Sequence, residues 1–257
     1  MNKIIAVANQ KGGVGKTTTA VNLAAGLGVS EIKTLLIDMD PQANATQGCG
    51  VTYDRDKTTY EVIINNTDIE SAIADTEIPY LKILPSSSRL VGAEIEMVTE
   101  FSREHFLKKK LKELDRDYEY IIIDCPPSLG LLTVNSLTAA DSVLIPIQCE
   151  YYAMEGLGQL LNTVRLVQKN LNKDLQIEGV LLTMFDTRLR LSNEVADELS
   201  EHFQDKLYET KIRRNVRLGE SPSHGKPIIL YDASSIGAQD YMDFVGEFLE
   251  NDEQKEE

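Results

Sequence analysis

The residues best suited to chemistry lie at positions 11–17, where the chain reads Lys-Gly-Gly-Val-Gly-Lys-Thr. Glycines let the backbone N–H groups of a loop turn inward, and a helix that begins directly after such a loop favours a bound anion. Lys16 adds a positive charge for the terminal phosphates of a nucleotide, and the Thr17 hydroxyl suits the ligand shell of magnesium. The spacing therefore predicts a polyphosphate site that includes Mg²⁺.

The loop departs from the usual P-loop pattern at its first position. That pattern has a glycine where this chain has Gln10, and Lys11 follows directly. A second lysine beside a phosphate site has two interpretations, a solvated surface charge or a second cation directed at phosphate. The loop residues alone leave both open.

Two apolar runs of the chain end in carboxylates. Residues 34–38 end at Asp38, with Asp40 close behind, and residues 120–124 end at Asp124. Acids at the carboxyl ends of parallel strands lie at the edge of the sheet where phosphate-binding loops also open. We predict that Asp124 lies beside magnesium, that Asp40 orients the attacking water near the metal, and that Asp38 positions the loop or the magnesium shell. An Asp-x-Asp pair that merely caps the next helix is the alternative.

The elements that must position these residues follow from hydrophobic periodicity. Residues 4–8 predict a buried strand before the glycine loop, and apolar residues at helical spacing after it predict a helix that ends at Gly28. Further apolar runs at 81–84, 143–147 and 177–184 predict strands with helices between them. This alternation predicts an α/β fold, a doubly wound, mostly parallel sheet with helices on both faces.

The 257 residues are compatible with a single nucleotide-binding domain, 1–257, with a short acidic tail at about 250–257 after a final helix at 235–249. Residues 46–57 predict a surface loop, and residues 58–66 and 68–74 predict helices. Residues 88–114 predict helical structure, and the run 108–110 a solvated lysine face. The apolar residues expected to face inward there are Leu90, Ile95, Val98, Phe101, Phe106, Leu107, Leu111 and Leu114.

Charge and composition limit the classes of partner. The formal net charge is −15, which repels nucleic acid and anionic membranes, so any DNA contact must be local. One local basic segment exists, since residues 211–226 carry five Lys or Arg and one acid, although ordinary surface salt bridges would also explain it. No apolar run approaches a membrane span and no signal-peptide pattern begins the chain, which favours a cytoplasmic protein. The three cysteines have no metal-ligand spacing.

Three ordered motifs resemble the deviant Walker A loop, the second motif and the Walker B strand of the ParA and MinD ATPase family. They read Lys-Gly-Gly-Val-Gly-Lys-Thr-Thr at 11–18, Asp-Met-Asp-Pro-Gln at 38–42 and Tyr-Ile-Ile-Ile-Asp-Cys-Pro-Pro at 120–127. Pro41 and Gln42 resemble the ParA and Soj branch. The resemblance implies a SIMIBI-type P-loop ATPase that uses ATP and Mg²⁺ and closes a homodimer on ATP. It also implies non-specific DNA binding, nucleoid association, and a ParB-type partner in chromosome or plasmid segregation.

The resemblance also assigns roles to particular residues. Lys11 is expected to reach the nucleotide of the partner copy, and the catalytic residues are Lys11, Lys16 and Asp40. The metal-site residues are Thr17, Asp40 and Asp124. The nucleotide-binding residues are Lys11, Gly12, Gly13, Val14, Gly15, Lys16, Thr17, Thr18 and Asn215. The residues expected to contact DNA are Arg188, Arg190, Arg213, Arg214 and Arg217; family members commonly have proline where this chain has Arg213.

Two other functions stay open at this stage. A MinD-like membrane-positioning ATPase is disfavoured by Pro41-Gln42 and by the acidic end of the chain, which anionic lipid would repel. A metabolic P-loop enzyme, such as a carboxylase-type ligase or a reductase component, is the second.

Adenine is favoured over guanine, because the run Asn-Lys-Asp-Leu at 172–175 has leucine where guanine recognition needs an acid, although Asp186 keeps GTP open. Tyr151 and Tyr152 are expected to serve packing or a dimer contact.

Overall fold

Short apolar segments form the strands of one eight-stranded sheet in the computed structural model, which describes residues 2–114, 117–150 and 153–256. Tyr151 and Tyr152, assigned to packing or dimer contact above, lie outside these residues. The strands are β1 Lys3–Val7, β2 Thr34–Asp38, β3 Ala74–Asp75, β4 Leu81–Leu84, β5 Tyr120–Asp124, β6 Ser142–Gln148, β7 Gln176–Phe185 and β8 Leu207–Arg213. Their order across the sheet is β3-β4-β2-β5-β1-β6-β7-β8. The short edge strand β3 is antiparallel to β4, and the neighbouring pairs from β4 to β8 are parallel.

Helices connect the strands and cover both faces of the sheet. They are α1 Lys16–Val29, α2 Asn44–Gly48, α3 Thr59–Ile63, α4 Ile69–Ala72, α5 Leu90–Glu96, α6 Phe106–Leu111, α7 Leu131–Ala139, α8 Ala153–Asn170, α9 Arg190–Phe203, α10 Val216–Glu220, α11 Ile228–Tyr231 and α12 Ile236–Glu256. Short 3₁₀ turns lie at Met97–Thr99, Arg103–His105, Gln204–Lys206 and Ser221–His224. Within the described residues, none of these helices combines the length and the apolar character needed to cross a bilayer.

Each face of the sheet carries its own apolar core. On one face, α1 and α12 contribute fully buried side chains such as Leu23 and Phe244. On the other, α7 and α8 contribute buried residues such as Leu137 and Leu160. Strands covered on both faces need apolar residues at nearly every position, which is why the strand segments lack a two-residue alternation. The predicted doubly wound, mostly parallel α/β fold is confirmed.

The prediction for residues 88–114 is wrong in part. The segment is helical only in pieces, α5, two 3₁₀ turns and α6. Ile95, Val98 and Phe101, expected to face inward, are exposed. Lys110, expected on a solvated face, is buried and pairs with Glu113 at 2.9 Å. The remaining five apolar residues are buried or half-buried, as predicted.

Other boundaries also differ from the sequence-based expectations. Part of the predicted loop 46–57 belongs to α2, and the two helices expected at 58–74 are reduced to the short α3 and α4. Strand β8 and helix α9 have no counterpart in the predictions. The acidic segment expected as a tail continues α12, where Asp252 pairs with Lys3 and accepts a hydrogen bond from the Tyr120 hydroxyl at 2.7 Å. These contacts hold the end of the helix against the start of the sheet.

Candidate nucleotide and magnesium site

The strand register brings the predicted loop and the predicted acids together. β5 lies between β1 and β2, and Asp124 is the register partner of both Val7 and Asp38. The glycine loop follows β1 directly, so it opens next to the two carboxylates at the carboxyl edge of the sheet. Parallel α/β sheets bind ligands at this edge.

The glycine loop has the backbone shape that an anion site needs. Gly13 and Gly15 have φ of 74° and 87°, in the left-handed region where glycine carries no steric penalty. Gly15 precedes α1, and no side chain caps the first turn of that helix. The Thr183 hydroxyl on β7 donates to the Val14 carbonyl at 2.8 Å, which ties the loop to the sheet. The geometry is that of a backbone nest at a helix N-terminus.

Lys16 is a buried cation at the centre of the site. Its Nζ donates to the Lys11 carbonyl at 3.0 Å, within the loop. Burial lowers the pKa of Lys16, and the carboxylates of Asp124 and Asp40 act in the opposite direction. The lysine therefore lies between the loop and the acids, where a bound phosphate chain would pass.

Asp124 is a buried carboxylate with unused oxygens. Neither carboxylate oxygen has a hydrogen-bond partner within the usual limits of distance and angle. The Thr17 hydroxyl is nevertheless near enough to lower the pKa of Asp124. Burial, and then the charge of Asp38, raise that pKa well above its usual range. A buried carboxylate needs a compensating cation, and hard oxygen donors such as Asp124 and Thr17 suit magnesium. The residues present therefore fit a magnesium ion held largely by phosphate and water oxygens.

No group of three or more acidic, histidine or cysteine side chains arranged to hold a metal occurs in residues 2–114, 117–150 and 153–256. Magnesium in phosphoryl-transfer sites takes one or two protein ligands and completes its shell with phosphate and water.

Asp38 and Asp40 have different surroundings although both are buried. Asp38 accepts hydrogen bonds from the Thr46 amide at 2.8 Å, the Thr46 hydroxyl at 2.7 Å and the Asp40 amide at 3.1 Å. Burial raises the pKa of Asp38 to about 6 in spite of these hydrogen bonds. Asp40 accepts a bond from the Gln42 amide through Oδ1 at 2.9 Å, and its carbonyl accepts one from Ser86. Asp38 thus organises the segment that carries Asp40.

The Lys11 side chain pairs with Glu150. The distance from its Nζ to Oε2 of Glu150 is 2.6 Å, and both side chains are partly exposed. The Lys11 amide donates to the Asn9 side chain at 3.0 Å, which fixes the backbone at the start of the loop. The ammonium group therefore lies at the surface beside the site and is held by a carboxylate of its own chain.

Asn215 lines a cavity of ≈ 230 Å³ that begins at the glycine loop. Gly15 and Thr18 line it on the side of the loop, and the carboxyl end of β7, residues of the segment 212–219 and Tyr241 of α12 line the rest. The Asn215 side chain accepts a bond from the Arg217 amide at 2.8 Å, which begins α10. A second cavity of ≈ 360 Å³ lies on the other side of Thr18, against α2 and the segment 221–227. The role of Asn215 in nucleotide binding stays a prediction.

Four of the five arginines predicted to contact DNA are paired with carboxylates. The pairs are Arg188 with Asp186, Arg190 with Glu194, Arg213 with Asp240, and Arg217 with Glu220 and Asp232. Arg214 is exposed and, among the described residues, forms no ion pair. Asp186, which kept guanine recognition open, accepts two hydrogen bonds from the Arg188 guanidinium, and these lower its pKa to about 2.

Sequence reasoning missed three residues that position the site. Thr46 was assigned to a surface loop, yet it is buried and binds Asp38 through two atoms. Thr183 was predicted only as part of a strand, and no role was predicted for Glu150. Each acts on a partner at least eight positions away along the chain, so no local pattern could identify it.

The buried charge of Asp124 should destabilise the nucleotide-free protein. Because its pKa is raised by folding, the folded state binds the proton more tightly, and stability falls as pH rises above the ordinary value of 3.8. Asp124→Asn should therefore stabilise the protein in EDTA by about 1–3 kcal/mol at pH 8, with a smaller gain at pH 5. Thermal unfolding at both pH values measures this. The exposed Asp117→Asn is the control, and a gain that does not shrink at low pH would contradict the assignment.

The chain is similar to known proteins along most of its length. The family model of an AAA domain matches residues 2–177. The chain is similar to the sporulation initiation inhibitor protein Soj of Bacillus subtilis strain 168, with 57% identity over 252 residues that cover 98% of this chain and 100% of that protein. It is 48% identical to the chromosome-partitioning ATPase Soj of Treponema pallidum, over 99% of this chain and 100% of that one.

Two solved structures are similar along nearly the whole chain. A plasmid partition protein of Borrelia burgdorferi B31 bound to AMPPNP has a TM-score of 0.84 and 30% identity, over 99% of this chain and 100% of that chain. Cobyrinic acid a,c-diamide synthase of Mycobacterium smegmatis, with bound ADP and magnesium, has a TM-score of 0.82 and 36% identity, over 96% and 93%. The predictions of a P-loop ATPase fold and of ATP with Mg²⁺ are confirmed at the level of these relatives.

Proposed function

The chain belongs to the Soj and ParA family of chromosome-partitioning ATPases, and from that premise we propose that it closes a homodimer on ATP. The dimer binds DNA without sequence preference, and hydrolysis releases it and drives segregation together with a ParB-type centromere-binding partner. The observation that carries this proposal is a glycine loop with two lysines, one buried beside the strand-end acids and one held at the surface.

Within one chain, the proposed chemistry uses the nest, Lys16 and the acids. The nest and Lys16 would bind the phosphates, and Thr17 and Asp124 would hold magnesium, which would neutralise charge on the phosphate oxygens. Asp40 lies near this position and would orient the water whose oxygen attacks the γ-phosphorus. The bond to the β-phosphate oxygen breaks, ADP leaves with that oxygen, and the proton of the water passes to the phosphate product. Asp38 keeps Asp40 in place through the shared hydrogen bonds.

Across the dimer, Lys11 contributes a charge to the nucleotide of the partner copy. It must first leave Glu150, so dimer closure exchanges one carboxylate partner for a phosphate. Lys11→Ala should keep ATP binding within the chain but lose the ATP-dependent dimer and lower turnover about 100-fold or more. Sedimentation velocity with Mg·ATP measures the first effect. Glu150→Gln, which leaves Lys11 intact, should still dimerise, and a dimeric Lys11→Ala protein would contradict the role in trans.

DNA binding should depend on ATP and on salt, and this experiment tests the proposed function. A handful of phosphate contacts predicts a slope of log Kobs against log salt of roughly −3 to −5 for the dimer. Arg214→Ala should weaken binding about 10-fold and make the slope shallower, because Arg214 has no ion pair to break first among the residues that the structure describes. Arg165→Ala on α8 is the control. Equal affinity with ATP, ADP and no nucleotide, or affinity independent of salt, would contradict the proposal.

The proposed place of action is the cytoplasm, on the nucleoid. The rival functions give different outcomes in the same assays. A MinD-like protein would sediment with liposomes in the presence of ATP, and a metabolic ligase would turn over ATP in response to a small molecule rather than to DNA and a protein partner. The identity to Soj proteins over almost the whole chain favours partitioning over both.

A further inference from the structure

Four buried polar residues at the carboxyl end of β2 close a ring of hydrogen bonds. The Ser86 hydroxyl donates to the Asp40 carbonyl at 2.7 Å, and the Ser86 amide donates to the Thr46 hydroxyl oxygen at 2.9 Å. The Thr46 hydroxyl donates to Oδ2 of Asp38 at 2.7 Å, and Oδ1 of Asp38 accepts from the Asp40 amide at 3.1 Å. Each of the four residues is at most 5% exposed. Bulk water therefore competes little with these bonds.

The chemistry of the groups in the ring fixes the direction of each bond. A backbone amide can only donate, so the Thr46 oxygen accepts from Ser86, and its hydrogen is left for the Asp38 carboxylate. A backbone carbonyl can only accept, so the Ser86 hydroxyl donates to Asp40. The two bonds through Thr46 point the same way, toward Asp38, and buried hydrogen bonds in such a chain strengthen one another. The ring therefore has one arrangement of hydrogens.

The ring holds the backbone of Asp40 on both sides of its Cα atom. Asp38 holds the amide, and the carbonyl accepts from Ser86 and from the Ala43 amide at 2.9 Å. The Ala43 bond closes the turn that Asp40 begins, whereas the Ser86 bond ties this turn to the loop after β4. Because residue 41 is proline, the Asp40–Pro41 peptide has no N–H, and only its carbonyl can accept a bond that fixes it. Ser86 therefore fixes this peptide relative to the sheet.

Ser86 is itself anchored by the sheet. It lies two residues after β4, which pairs in parallel with β2, so the ends of the two strands are neighbours. The Thr59 amide donates to the Pro85 carbonyl at 2.8 Å. The Thr59 hydroxyl lies 3.1 Å from the same carbonyl and 2.9 Å from the Asp38 carbonyl. The Ser86 hydroxyl therefore extends from a fixed backbone, which a residue that positions another one needs.

We infer that Ser86 is a positioning residue for ATP hydrolysis, because its bond to the Asp40 carbonyl aims the Asp40 carboxylate at the attacking water. The inference rests on the proposed function for the role of Asp40. Among the described residues, the Asp40 carboxylate accepts a hydrogen bond only from within its own turn, from the Gln42 amide at 2.9 Å. Its position therefore depends on the position of the backbone, and an error of about 1 Å at a reacting group can cost about 100-fold in rate.

The test measures single-turnover hydrolysis of Mg·ATP by the full chain, together with ATP affinity from titration with a fluorescent analogue. Ser86→Ala should lower the hydrolysis rate about 10-fold and change ATP affinity less than about twofold, because the glycine loop and Lys16 hold the phosphates. Thr46→Val, which keeps the shape of the side chain but loses the hydroxyl, should behave in the same way. Thr46→Ser keeps the hydroxyl and should restore the rate to within about threefold of the unaltered chain.

Two controls separate positioning from a general loss of structure. The Ser235 hydroxyl also donates to a backbone carbonyl, that of Asp232, at 2.7 Å, and Ser235 is buried directly before α12, outside the ring. Ser235→Ala should hydrolyse ATP at the rate of the unaltered chain. The double variant Ser86→Ala with Asp40→Ala should be no slower than Asp40→Ala alone, because Ser86 acts through Asp40.

The outcomes distinguish this inference from the proposed function. If the unaltered chain hydrolyses no ATP, the proposed function falls, and the inference with it. If the unaltered chain hydrolyses ATP and Ser86→Ala is equally fast, the inference alone is overturned. Parallel losses of ATP affinity and rate, or a further loss of rate in the Asp40→Ala background, would show a structural role and would also overturn it. If thermal unfolding shows that Ser86→Ala is not folded, Thr46→Val and Thr46→Ser decide by the same criteria.

Discussion

Lys16→Ala is expected to reduce ATP affinity about 100-fold and to abolish measurable hydrolysis. Lys16 is buried between the glycine loop and the acids, where burial has already removed much of its water. Removal of its charge leaves Asp124 and Asp40 without the cation that acts on both. The phosphates would then meet two carboxylates whose repulsion only magnesium offsets.

The affinity is measured by equilibrium titration with a fluorescent ATP analogue, and hydrolysis by phosphate release. Lys33→Ala, an exposed lysine that precedes β2 at the opposite edge of the sheet, is the control and should behave as the unaltered protein. Tight ATP binding by Lys16→Ala would show that the nest alone holds the phosphates and that the central role given to Lys16 is wrong.

Asp40→Ala is expected to keep ATP binding and dimer formation while turnover falls about 100-fold or more. Asp40 lies near Lys16 but is held through a single side-chain bond, from the Gln42 amide. Its carboxylate therefore has capacity left to orient a water, whereas Asp38 is engaged by three donors and the open oxygens of Asp124 are assigned to magnesium. The variant should accumulate as an ATP-bound dimer that stays on DNA.

Single-turnover hydrolysis and sedimentation velocity with Mg·ATP separate these two effects. The exposed Asp174→Ala is the control for loss of an acid. An Asp40→Ala protein that stays monomeric with ATP would move Asp40 from water orientation to metal or nucleotide binding. Asp40→Ala also loses the hydrogen bond from the Gln42 amide, and this loss should lower the unfolding temperature of the variant by only a few degrees.

The wrong prediction for residues 88–114 has a physical cause. α5 and the turn after it carry two apolar rows, one with Leu90 and Met97 and one with Val91 and Ile95. Periodicity shows that both rows exist but contains no information about which row another element covers. The expectation assigned Ile95 inward, and the structure places it outward.

For the acids at the strand ends, unlike the apolar rows of α5, the pattern of the sequence does give the position. Asp38 and Asp124 each end an apolar run, so their place at the edge of the sheet follows from the pattern of each run alone. Their contact with each other does not, because β5 enters between β1 and β2 from more than 80 positions further along the chain. The nucleotide-binding, metal and DNA roles given to individual residues stay predictions.

The amino-acid sequence by itself determined the local chemistry of this protein: a glycine loop before a helix, two lysines and a hydroxyl in it, and carboxylates at the ends of buried strands. Backbone freedom at glycine and hydrophobic periodicity are properties of neighbouring residues, so they are visible without a structure. Only the tertiary structure decided that Thr46 holds Asp38, that Glu150 holds Lys11, and that one apolar row of α5 faces solvent. These depend on which distant segments pack together, and packing is set by the whole core at once.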